Sequence, residues 1–139
     1  MTSTPVRHDF PVISTPGHVP LARHETAKVL AAWGLSDQIV DTSCLIITEL
    51  VTNVVQHAAV VSPTATVTVT VEERGDLVLA VADAHPFKPK PLMAAHDSGG
   101  RGLHLVNALV HEAGGTAEVV PDATTGGKQI NIRLPLAPT

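Results

Sequence analysis

ITELVTNVVQHAAVVSPTATVTVTV, residues 47–71, contains a change of period that decides the fold. Over residues 47–58 the apolar positions follow a helical turn of about 100° per residue, so Ile47, Leu50, Val51, Val54, Val55 and Ala58 share one broad arc. Over Thr64–Val71, Thr alternates strictly with Ala or Val, the two-residue period of a half-buried strand. A long amphipathic helix therefore runs into a strand with one apolar face. Around this junction the chain reads as helices packed against one side of a sheet.

Working backward, Ser36 or Asp37 can cap the long helix, which is expected to run to about Ala59. Before it, PLARHETAKVLAAWG has Pro20 at a helix start and Gly34 at its stop, with Leu21, Ala27, Val29, Leu30 and Trp33 on overlapping faces. Residues 1–19 carry Pro5, Pro11, Pro16 and Gly17. They read as an N-terminal arm with one short strand near His8–Val12. Working forward, Arg74-Gly75-Asp76 is a turn and LVLAVAD a second strand, together a hairpin. Residues 84–100, AHPFKPKPLMAAHDSGG, form a long loop of the kind that is usually functional when ordered. A helix follows in GLHLVNALVHEAGG, then strands TAEVV and KQINIRLPL around the turn PDATTGG. The expected fold class is α+β: a two-layer α/β sandwich with a mixed, largely antiparallel sheet and helices on one face. Residues 20–139 form its single domain.

Composition bounds the function. The chain has 139 residues, 44% of them hydrophobic but only 2% aromatic, so the core is built from Val, Leu, Ile and Ala. Net charge is -4, with no Lys/Arg cluster or aromatic platform, which disfavours direct nucleic-acid binding. No run approaches the roughly 18 consecutive apolar residues of a membrane span, and the start of the chain has prolines and charges where a signal peptide is apolar. One cysteine, Cys44, excludes an internal disulfide and suits a reducing compartment. A cytoplasmic location is expected.

Three features carry chemistry. Glu49, Asn53 and His57 lie four residues apart, in line on the polar arc of the long helix. Such an arc is also what a solvent face looks like, but this one has a single charge and neither Lys nor Arg. An amide oxygen suits a hard cation such as Mg²⁺, and a carboxylate one turn away could deprotonate a hydroxyl. Asp83 closes an apolar strand, where it is either a turn former or an acceptor for a ligand. DSGGRGLHLV, residues 97–106, places three glycines at a helix start, where backbone N–H groups favour phosphate. It is neither a Walker A loop, G-x-x-x-x-G-K-S/T, nor a dinucleotide fingerprint, which needs a preceding strand. Eight histidines invite a metal-site reading, but no H-E-x-x-H or Cys/His spacing supports it.

In order and spacing these segments resemble the GHKL (histidine-kinase-like) ATPase domains, whose architecture is the Bergerat-type ATP-binding fold. Within them the chain is similar to the small bacterial anti-sigma-factor serine/threonine kinases and related regulatory ATP-binding proteins. ELVTNVVQHA resembles the family's N box, VADAHPFKP its first glycine-box region, GGRGLHLVNALV its second, and GGKQINIRL its last strand motif. The resemblance implies ATP and Mg²⁺ as cofactors, with Asn53 holding the metal and Glu49 as catalytic base. It implies that Asp83 accepts the adenine amino group, that Gly100, Arg101, Gly102 and Leu103 cover the phosphates with Gly99 shaping the loop, and that His57 lies on the phosphate side. Residues 84–99 would be the ATP lid.

The implied activity is ATP-dependent transfer to a serine or threonine of an anti-sigma-factor antagonist, alternating with binding of a sigma factor; a homodimer is a family expectation. The alternative is a catalytically inactive nucleotide-binding module that acts by protein–protein binding. Two positions depart from the family pattern. Asp83-Ala84-His85-Pro86 replaces Asp-x-Gly, and Gln129 stands where a Thr commonly follows the last Gly-Lys pair.

Overall fold

The computed structural model describes residues 5–58, 63–72, 75–83, 100–121 and 127–136; at 57–58 and 100–103 it describes the backbone alone. Five strands and three α-helices are present among them: β1 (Val6–Ile13), α1 (Val19–Ala32), α2 (Asp37–Ala58), β2 (Thr64–Val71), β3 (Asp76–Asp83), α3 (Gly100–Glu112), β4 (Thr116–Pro121) and β5 (Lys128–Pro135). The strand order is β1-β2-β3-β5-β4, and all four pairings are antiparallel.

Helix boundaries follow local chemistry. The Ser36 hydroxyl accepts a hydrogen bond from the Ile39 N–H at 3.3 Å, capping α2. Gly34 and Gly114 end α1 and α3 with φ of +80° and +74°. At α3 the Gly114 N–H donates to the His111 carbonyl and the Gly115 N–H to the Val110 carbonyl, which satisfies two carbonyls of the last turn.

The strands alternate as their period demands. Ala65, Val67 and Val69 of β2 are buried, as are Leu77, Leu79 and Val81 of β3 and Ile130, Ile132 and Leu134 of β5. They meet Ile46, Ile47, Leu50, Val51 and Val54 of α2 and Val106 and Val110 of α3 in one apolar core. Each buried Val, Leu or Ile contributes about 1.5–3 kcal/mol of burial free energy, and the aliphatic composition is adequate because the layers interdigitate. The other face of the sheet carries no helix among the described residues. Thr68, Thr70, Glu72, Gln129, Asn131 and Arg133 line a shallow groove of about 570 Å³ there.

One expectation needs revision. The strand near the N-terminus extends from Val6 to Ile13 and pairs with β2 along its whole length, Val6 opposite Val71 and Ile13 opposite Thr64. Pro11 is compatible because β1 is an edge strand, where a missing N–H costs no ladder bond on the open side. The His8 ring, 2.9 Å from the Glu25 carboxylate, ties this strand to α1. Asp37–Gln56 of α2 is long and apolar enough on average to cross a membrane, although no run of consecutive apolar residues in it approaches a span. The polar line interrupts each run without lowering the average far. Its apolar side is spent on the core, as in the central helix of many two-layer folds.

Candidate functional site

The candidate site draws on three elements. α2 packs against both β3 and α3, so the helix bearing Glu49 and Asn53 touches the strand that ends in Asp83 and the helix that begins at Gly100. Glu49 and Asn53 are both half-buried, one turn apart, while the intervening Leu50 and Val51 are fully buried. The polar line therefore runs along the shoulder of the helix and not its outermost crest. Gln56 is exposed. The backbone of His57 belongs to the last turn of α2, and its side chain lies outside the described residues.

Asp83 is the last residue of β3, and its side chain is only 2% exposed. Antiparallel pairing sets it directly opposite Lys128, the first residue of β5. The Lys128 ammonium stands 2.8 Å from Asp83 Oδ2, and the Lys128 backbone N–H points at Oδ1 from 3.4 Å. The first is a charge-assisted bond of ordinary length; the second is at the long limit. A buried carboxylate needs such compensation, because unpaired burial of a charge is costly.

Gly100, Arg101, Gly102 and Leu103 make the first turn of α3 in backbone terms. Helix geometry leaves the first N–H groups of that turn without intrahelical acceptors, so the backbone requirement for holding an anion is met. Gly99 and the expected lid, 84–99, lie outside the described residues, as do residues 122–126 of the last turn.

Lys128 is the residue that sequence reasoning missed. GGKQINIRL resembles the family's last strand motif with Gln129 as its departure, whereas the charge that reaches Asp83 comes from the lysine just before it. The Gln129 amide instead donates to the Asn131 side chain at 2.7 Å, on the open face of the sheet. No group of three His, Cys, Asp or Glu side chains able to hold a metal ion occurs among the described residues. The groove on the open face shares none of Glu49, Asn53 and Asp83.

With this geometry in place, comparison with known proteins defines the class. The family model for the histidine kinase-like ATPase domain matches residues 12–134, nearly the whole chain. The chain belongs to that family. No curated protein is significantly similar to it in sequence.

Among solved structures, the RsbU and RsbW domains of a Mycobacterium tuberculosis protein are similar over 99% of this chain and 34% of that one, with TM-score 0.69 and 19% identity. The histidine kinase domain of a blue-light activated kinase from Erythrobacter litoralis is similar over 70% of this chain and 44% of that one, with TM-score 0.55 and 24% identity. The SiaB–SiaC complex from Pseudomonas aeruginosa gives TM-score 0.55 at 16% identity, over 91% of this chain and 88% of that one. At these identities the likeness is one of fold. The chain spans less than half the length of the first two.

Proposed function

We propose that this chain is an ATP-binding regulatory protein that acts as an anti-sigma-factor serine/threonine kinase, switching between a sigma factor and its antagonist. The observation that carries the reading is the retained pair Glu49 and Asn53, half-buried on the α2 shoulder of a histidine kinase-like ATPase domain. A catalytically silent binding module has no chemical need for both residues there. Asn53 offers a neutral amide oxygen to Mg²⁺, which takes its other ligands from phosphates and water. When bound, the metal would neutralise charge on the transferring phosphoryl group.

Glu49, one turn earlier, is the group to accept the proton of the attacking hydroxyl. The first turn of α3, Gly100–Leu103, supplies backbone N–H groups to the phosphates, with His57 and Gly99 assigned to the same end. Asp83, an acceptor-only side chain when ionised, suits the exocyclic amino group of adenine. Action on a sigma factor implies a cytoplasmic location, and the fold similarity to an RsbW domain supports this choice of partners.

Two measurements test the proposal. Titration calorimetry with ATP and Mg²⁺ is expected to show binding by the wild type and loss of at least tenfold, about 1.4 kcal/mol, in Asn53→Ala. Transfer from ATP to the antagonist is expected to fall by at least about 10²-fold in Glu49→Ala, in keeping with loss of a general base. Unchanged transfer in that variant removes Glu49 from the role. The second reading, a nucleotide-binding module without transfer activity, is favoured by the departure at Gln129, whose amide is engaged with Asn131 on the open face of the sheet. Mg²⁺-dependent ATP binding with no phosphorylated partner would establish it.

A further inference from the structure

We infer that Lys128 is an internal competitor for the base-binding carboxylate, so that the strength of purine binding is set by displacement of its ammonium from Asp83. This rests on the nucleotide reading above and adds to it a residue that decides affinity for the base. Lys128 Nζ is a donor nitrogen 2.8 Å from Asp83 Oδ2, which is where an exocyclic amino group has to donate. It thus stands in for the base.

The mimic is held firmly. Asp83 and Lys128 are opposed in the β3–β5 register, which fixes their Cβ atoms at cross-strand distance, and the lysine side chain is only 15% exposed. An ammonium is also the stronger partner. It brings a full charge to a carboxylate that is 2% exposed, whereas an adenine amino group brings only a dipole. Exchanging one for the other therefore lowers the net gain from binding the base.

Competition at Asp83 has an effect opposite in sign to simple electrostatics. A triphosphate is anionic, so loss of a nearby cation ordinarily weakens its binding. Competition predicts that loss of this cation strengthens it. Lys128→Thr and Lys128→Gln remove the charge while keeping a polar group at the start of β5, and Gln retains a neutral donor. Thermal unfolding of each variant without ligand shows whether it is folded; if the Thr variant is not, the Gln variant carries the test.

Titration with ATP and Mg²⁺ is expected to give about tenfold tighter binding for Lys128→Thr than for the wild type, with a smaller gain for Lys128→Gln. Purine riboside triphosphate, which has the same ring and phosphates but no 6-amino group, is expected to show no such gain. Wild-type binding with equal or weaker binding by the folded variants overturns the role of Lys128 and leaves the nucleotide reading standing. An equal gain for both triphosphates also overturns it, because the effect then does not pass through the amino group. No binding by any form, wild type included, overturns the nucleotide reading together with this inference.

Discussion

Gly114 and Gly115 are adjacent, yet the structure requires glycine at each for a different reason, and substituting them separately distinguishes the two. Gly114 has φ of +74°, and a Cβ there would have nothing closer than Pro135 Cγ at 3.9 Å. The cost of Gly114→Ala is conformational, about 1 kcal/mol. Gly115 has no such φ, but a Cβ on it would fall well inside contact distance of the Arg133 carbonyl oxygen, with Leu134 Cδ2 at 3.1 Å and the Arg133 carbonyl carbon at 3.3 Å.

Relief at Gly115 is difficult on both sides. Its own N–H is committed to the Val110 carbonyl at 2.9 Å. The obstacle is backbone of β5, which is paired with β3 on one side and β4 on the other. Either β4 separates from β5 where Thr116 meets Arg133, or α3 tilts away from the sheet. We expect Gly115→Ala to cost about 3 kcal/mol, the upper range for overpacking. That is a large part of the 5–15 kcal/mol by which domains are ordinarily stable. Urea unfolding followed by circular dichroism should show both midpoints lowered, Gly115→Ala the more, with similar slopes. A Gly115→Ala protein as stable as Gly114→Ala, or more so, would refute the close-approach argument.

Leu79→Ala, at a fully buried centre of β3 between Val69 and Ile132, should lose about 3–4 kcal/mol in the same assay; a loss below 1 kcal/mol would mean that the layers do not meet there. Cys44 titrates in a predictable direction. Burial raises its thiol pKa, Asp41 adds to the rise and Arg23 opposes it, so the folded chain keeps the thiol proton to higher pH than the unfolded chain. Its stabilising contribution is present below the ordinary thiol range near about 8.5 and declines as pH rises through the folded value. Cys44→Ala should therefore show a smaller loss of stability between neutral and alkaline pH than the wild type, and an equal loss would contradict the assignment.

Much of the architecture was legible because periodicity reports local conformation directly. TATVTVTV had to be a strand with threonines on one side, and the arc of Ile47, Leu50, Val51 and Val54 had to face a core. Strand order was not legible in that way. β5 pairs with β3 and leaves β4 at an edge, although β4 precedes it in the chain. Local pattern contains no term for that choice.

The same gap hid Lys128, whose significance depends on being opposite Asp83. β1 was underestimated because its proline suggested an irregular arm, whereas an edge strand accepts proline. Asn53, Glu49 and Asp83 are assigned to a site only through their resemblance to a family pattern; residue chemistry alone leaves Glu49 and Asn53 open between a solvent face and a site.

Asp83 and Lys128 are separated by 45 positions in the chain. Between them lie α3 and β4, so their ion pair cannot form with the β2–β3 hairpin, which closes over a short turn. Contacts of such long sequence separation are made against a larger loop-closure entropy. The Asp83–Lys128 contact therefore depends on β5 taking its place between β3 and β4. A chain in which β5 has not docked can possess the α2 polar line and the hairpin while still lacking that ion pair.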